Sequence, residues 1–184
     1  MTEVFSHGLL KATLDQIRAV AANSLSVVLH ALGSEGDGRT GGFLRIFLAM
    51  DSKEGPCGWN EVFAEMVGEV KDQQKAAKYE ILSVEKAIRL MKRHAIEGHI
   101  SSWQSWNEKE WEYGGAFILE VFIPEFSCIV KILVTFSGLP PKGDEAHGLV
   151  VLKDLKWSKR GDGREILLAS KNHFAAELLD IDPL

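Results

Sequence analysis

A chain of 184 residues, 46% hydrophobic and 26% charged, has the length for one domain with a packed core and the composition of an ordinary globular protein. Its formal charge of −5 argues against a general nucleic-acid binder or membrane-surface protein. Cys57 and Cys128 stand far apart and outside any CxxC pair, which argues against a cysteine metal site or a disulfide framework. Both read as reduced thiols of an intracellular, cytoplasmic protein. The N-terminal MTEVFSHGLLKATLDQ has no basic stretch ahead of an apolar one, as a secretory signal would. No apolar run approaches the roughly 20 residues that span a bilayer.

Along the chain, residues 4–22 place Leu10, Leu14, Ile17 and Ala21 at helical spacing, with Ser6 as N-cap. SLSVVLHALG is rich in β-branched residues and predicts a strand. GSEGDGRTGG is a polar break, and FLRIFLAMD predicts a second strand, antiparallel to the first. After the turn-rich DSKEGPCGW, Asn60 is placed to cap a helix carrying Val62, Phe63, Met66, Val67 and Val70 on one face. KDQQKAAK reads as exposed helix or as a break. Ser83 caps a further helix, VEKAIRLMKRH, with an apolar face of Val84, Ala87, Ile88 and Met91. Lys92, Arg93 and His94 suit its C-terminal dipole, and Gly98 ends it. HISSWQSW, GGAFILEVFI and SCIVKILVTF predict a three-stranded meander. DEAHGLVVLKDL predicts a helix, and ILLASKNHFAAELLD a last helix or a strand running into one. The sum is one α/β domain with an antiparallel sheet of about five strands packed by helices.

Three segments in this order carry a family likeness: EKAIRLMKRHAIEGHISSWQS, YGGAF and VTFSGLPPKGDEAHGLVVL. Over roughly residues 83–152 they resemble the GlcG-like superfamily, with its haem-binding and haem-degrading domains and the C-terminal domain of PduO-type proteins. The likeness is to its uncharacterised branch with the GGxF…VSGLP…D pattern. It implies a profilin-like α/β/α sandwich with helices on both faces of the sheet, homo-oligomeric assembly, and haem or a corrinoid as ligand. Within a single 1–184 domain it leaves residues 155–184 as a C-terminal extension.

Carried onto this chain, the resemblance makes Ser101, Ser102, Tyr113, Gly114, Gly115, Ser137, Gly138, Asp144 and His147 the ligand-binding candidates. The residues also admit a purely structural account. Gly138 permits a turn, Pro140-Pro141 ends the strand ladder, and Asp144 can accept orphan N–H groups at a helix start. The chain departs from the family at Tyr113 and Glu145, where histidine is usual, and at Ile118, where proline is. Those changes count against haem ligation, although tyrosine can ligate ferric iron. His147 is the nearby replacement, and a solvated helix position is the commoner fate of such a histidine.

Other patterns yield less. His94, Glu97 and His99 fit surface residues at a helix end better than metal ligands. Trp103, Trp106, Trp111 and Tyr113 crowd one stretch, as at a subunit interface or against a flat ligand. No GxSxG elbow surrounds a serine, GDGRTGG is not a P-loop, and KWSKRGDGR is too mixed for a nucleic-acid patch. Without a nucleophile–base constellation, the leading expectation is a non-catalytic oligomeric scaffold or protein-interaction module. The alternative is a small-ligand protein taking haem or a corrinoid.

Overall fold

The computed structural model describes all residues except 1–2, 8–9, 53–54, 57, 108, 110–111, 124–127, 160 and 183–184. Cys57, Trp111 and the expected PEF turn lie outside the described residues. Elements follow the order β1 (Glu3–His7), β2 (Leu10–Thr13), α1 (Leu14–Leu32), β3 (Gly41–Ser52), β4 (Gly55–Pro56), β5 (Asn60–Gly68) and α2 (Gln73–Glu97). Then come β6 (Ala116–Ile123), β7 (Cys128–Ser137), α3 (Pro141–Asp154), α4 (Arg164–Ser170) and α5 (His173–Leu179). Four long strands form an antiparallel sheet in the order β5-β3-β7-β6, and the two-residue β4 adds a fifth beside β3. β1 and β2 make a separate hairpin.

Helices cover both faces of the sheet. On one, α1 and α3 pack on each other and over β5 and β7. Ile17, Ala21, Leu25 and Val28 of α1 there join Leu44, Ile46, Ile132, Val134 and Phe136 of the sheet in the main apolar cluster. Ile166, Leu167, Ala175, Ala176 and Leu179 of α4 and α5 belong to the same cluster, so the C-terminal segment shares the domain's core. On the other face lies α2, over a smaller cluster of Ala87, Leu90, Ala116, Ile118 and Leu133.

Five expectations about the elements are corrected. The first helix starts at Leu14, capped by Thr13 in a capping box with Gln16, while Ser6 lies in β1. SLSVVLHALG continues that helix, because Leu25, Val28 and Leu32 extend the buried stripe of Ile17 and Ala21. Burial overrides the local β propensity of the valines. With the turn after it, Leu14–Gly36 is a 23-residue stretch that contains an 18-residue window of mean hydropathy 1.2, long and apolar enough by length and composition to cross a membrane. Reading the stretch as two elements hid that length.

The expected helix at Asn60 is instead strand β5. A bulge there lets two residues oppose one, so Phe63 and Val67 are buried on the α1 side while Glu61 turns to the α2 side. That mixed spacing imitates a helical stripe. Ser83 caps nothing, since α2 already begins after Asp72, whose carboxylate accepts from Gln74 and Lys75 N–H. Finally, HISSWQSW is no strand. Ser101 closes a capping box with Gln104 over a single 3-10 turn, Ser102–Ser105, and only Ser101 bridges to Phe117.

Candidate functional site

The end of β7, the Ser137–Pro140 turn and the first turn of α3 face the flank of α2. Between them lies a cleft of about 360 Å³, a volume within the range of small-molecule sites. α2 lines it with Lys75, Lys78, Tyr79, Leu82 and Lys86, whose spacing puts them along one flank of the helix. Asp37 and Arg39 close it from the loop before β3, and Tyr113 from the segment before β6. A second depression of about 240 Å³ shares Asp37, Arg39, Lys75 and Tyr79 and carries Lys71.

The floor of the cleft is a buried charge pair. Lys86 is 2% exposed and Asp144 likewise. Lys86 Nζ donates to Asp144 Oδ2 at 2.7 Å and to the Phe136 carbonyl at 2.9 Å. Asp144 Oδ1 accepts the Leu139 N–H at 2.8 Å. An ammonium has three donors, so one remains for the cleft that Lys86 also lines. Burial pushes the Asp144 carboxyl up to about 6, against the pull of Lys86. The aspartate therefore latches the turn rather than capping its own helix, and it ties α3 and β7 to α2.

Two glycines make this possible. Gly115 has φ of +103°, and a Cβ there would lie 2.5 Å from Asp144 Cβ and 3.1 Å from Lys86 Nζ. At Gly138 the constraint is space: its φ of 159° is nearly extended, but a Cβ would sit 2.4 Å from both the Gly41 carbonyl oxygen and Gly42 Cα.

The sequence candidates divide. Tyr113, Ser137, Gly138 and Asp144 line the cleft, and Gly115 packs on its floor. Gly114 lies under the Trp103 ring, where any Cβ would collide. Ser102 Oγ accepts the Ala116 N–H at 2.9 Å and serves β6. Ser101 donates to Glu145 Oε1 at 2.9 Å, while Asn172, the cap of α5, donates to Oε2 at 2.9 Å. Glu145 is fully buried by this clasp, and desolvation pushes it up to about 7.

His147 departs from the expected solvated position. It is 0% exposed, bonded to the Ala21 carbonyl at 3.0 Å and tilted against Phe136 at 4.2 Å. Burial lowers it to about 4, so it is neutral near pH 7. It faces α1, not the cleft. His99 pairs with Glu97 at 3.1 Å, and His94 Nδ1 meets the His99 carbonyl at 2.9 Å. Among the described residues, no group of three or more histidine, cysteine or acidic side chains is placed to hold a metal. The Trp103 and Trp106 rings meet tilted at 60° with centroids 5.5 Å apart, and Cys128 is a free thiol.

Sequence reading missed Lys86, Arg39 and Lys75. A signal for Lys86 existed: it falls on the same helical face as Ser83, Ala87 and Leu90, where a charge has to find a partner.

Fold and site together define a class: an α/β protein with helices on both faces of an antiparallel sheet and a cationic cleft floored by a buried lysine–aspartate pair. Comparison with protein-family models, with curated proteins and with solved structures gives no match.

Proposed function

We propose that this protein binds a small anionic ligand in the cleft between α2 and the Ser137–Pro140 turn. One observation carries this reading: Arg39, Lys75, Lys78 and Lys86 converge there, and among the described lining residues the acidic ones are Asp37 and Asp144. Such a cluster, walled by low-dielectric protein, concentrates anions. Tyr79 and Tyr113 add ring surface and hydroxyl groups for a ligand with a planar part. The chemistry suits a carboxylate or phosphate, and haem and corrinoids both carry such groups. This favours the small-ligand reading over the scaffold. The proposal includes a profilin-like sandwich of the GlcG-like kind, which helices on both faces of an antiparallel sheet support, and a cytoplasmic location.

The test is calorimetric titration with inorganic phosphate, a nucleoside monophosphate, a dicarboxylate, haemin and cobalamin. At least one should bind saturably at one per chain, more weakly at high salt, and about tenfold or more weakly in Arg39→Ala or Lys75→Ala. Saturable haemin binding retained in both variants but lost in Tyr113→Phe would replace the anion reading with tyrosine ligation. No saturable binding by any probe would overturn both.

A further inference from the structure

We propose that two copies of this chain form a dimer by packing the outer faces of their α2 helices antiparallel. α2 carries two apolar faces where one suffices to cover a sheet. The inner face, with Ala87 and Leu90, is buried on the sheet. The outer face holds Ala77, Ile81, Val84, Ile88, Met91 and Ala95. Their steps of 4, 3, 4, 3 and 4 residues are the repeat of a coiled-coil seam, sustained for about 27 Å at 1.5 Å per residue. Ile81 is 58% and Ile88 60% exposed, Val84 is half-buried, and Met91, at the seam's inner edge, packs against the inner cluster. Scattered exposed apolar residues need no explanation, but a periodic row on a 25-residue helix is a surface built for another helix.

The charges beside the row favour a second α2 and select its direction. Lys78, Glu85 and Lys92 flank one side, and Glu80, which pairs with Arg45 of its own chain at 3.6 Å, flanks the other. In a parallel pair, Glu80 of each helix would oppose Glu85 of its mate, with no attraction in return. An antiparallel pair centred between Ile81 and Val84 sets Ile81 against Val84 and Ala77 against Ile88, small on large. It also sets Lys78 of each copy against Glu85 of the other, twice by symmetry. Full-length antiparallel overlap instead brings Lys78 onto Lys92 and Glu85 onto Glu85. Of these two registers, the short one is complementary in shape and in charge.

Sedimentation velocity over a concentration series tests this. The intact chain should run at twice 20.4 kDa. Ile88→Glu should give a monomer with an unchanged far-ultraviolet circular dichroism spectrum, since the position is exposed. Glu85→Lys and Lys78→Glu should each raise the dimer Kd about tenfold or more, and the double swap should restore it. Three results would overturn the proposal: a monomer up to the solubility limit, an oligomer indifferent to Ile88→Glu, or a dimer tightened by Glu85→Lys, as a parallel pair would be. Ile88→Glu and Glu85→Lys leave Arg39, Lys75, Lys78 and Lys86 of the cleft intact, so with these two variants ligand binding and assembly can fail separately.

Discussion

The two faces of the sheet are joined to their helices by different forces. On the α1 and α3 side, Leu44, Ile46, Ile132, Val134 and Phe136 are all fully buried against an unbroken apolar layer. On the α2 side the apolar cluster is small, and polar ties supplement it. Arg45 Nε donates to Ser83 Oγ at 3.0 Å, and its guanidinium pairs with Glu61 at 2.5 Å. Thr135 Oγ1 donates to the Ser83 carbonyl at 3.0 Å. Lys86 meets Asp144. Apolar burial is tolerant of direction, whereas hydrogen-bonded charges fix the register of a helix on its sheet. The polar face is also the one that borders the cleft.

Breaking the polar side should have the largest effect. Lys86→Ala leaves Asp144 buried without its cation, a loss on the order of 3–5 kcal/mol in chemical denaturation. Lys86→Met with Asp144→Leu should recover much of it, because an apolar pair needs no compensation. If the single and double variants unfold alike, the pair is not what joins α2 to the turn.

A smaller, pH-dependent effect belongs to the Glu145 clasp. Its carboxyl is raised from 4.5 to about 7 by burial, so the folded state holds the proton more tightly than the unfolded chain. That contribution is fully present below about pH 4.5 and is lost as pH rises through 7. Glu145→Gln should therefore gain on the parent by about 1–3 kcal/mol between pH 4.5 and 8, read from paired melting curves. His147 works in the opposite direction. Lowered by burial to about 4, it favours the fold above pH 6.5 and disfavours it as pH falls toward 4. It is common to both proteins, so it cancels in the comparison. A constant gap between the two melting curves across that range would dismiss the clasp as a titrating group.

The smallest change sharpens the contrast from the apolar side. Ile132→Val removes one methylene from the main cluster and should cost about 0.5–1.5 kcal/mol, equally at every pH. A loss that varied with pH would mean that the two faces are coupled through the sheet.

The sequence by itself determined the elements whose signals are local. β3, β6, β7 and α3 were legible from apolar runs bounded by glycine and proline, and the end of α2 from Gly98, whose φ of +70° a glycine adopts freely. The SGLPP turn was legible as a stop, and the likeness of motifs singled out Tyr113, Ser137, Gly138 and Asp144, which line one cleft. Tertiary structure decided the rest. Whether SLSVVLHALG is helix or strand depends on which stripe finds an apolar partner, and the sheet supplies that partner only once it is assembled. β5 could not be told from a helix, because a bulge mixes its two faces. Lys86 gained its partner from a residue 58 positions away, and Glu145 from residues 44 and 27 away. Spacing along the chain encodes which face a side chain occupies, but not which distant charge will be waiting there when the core closes.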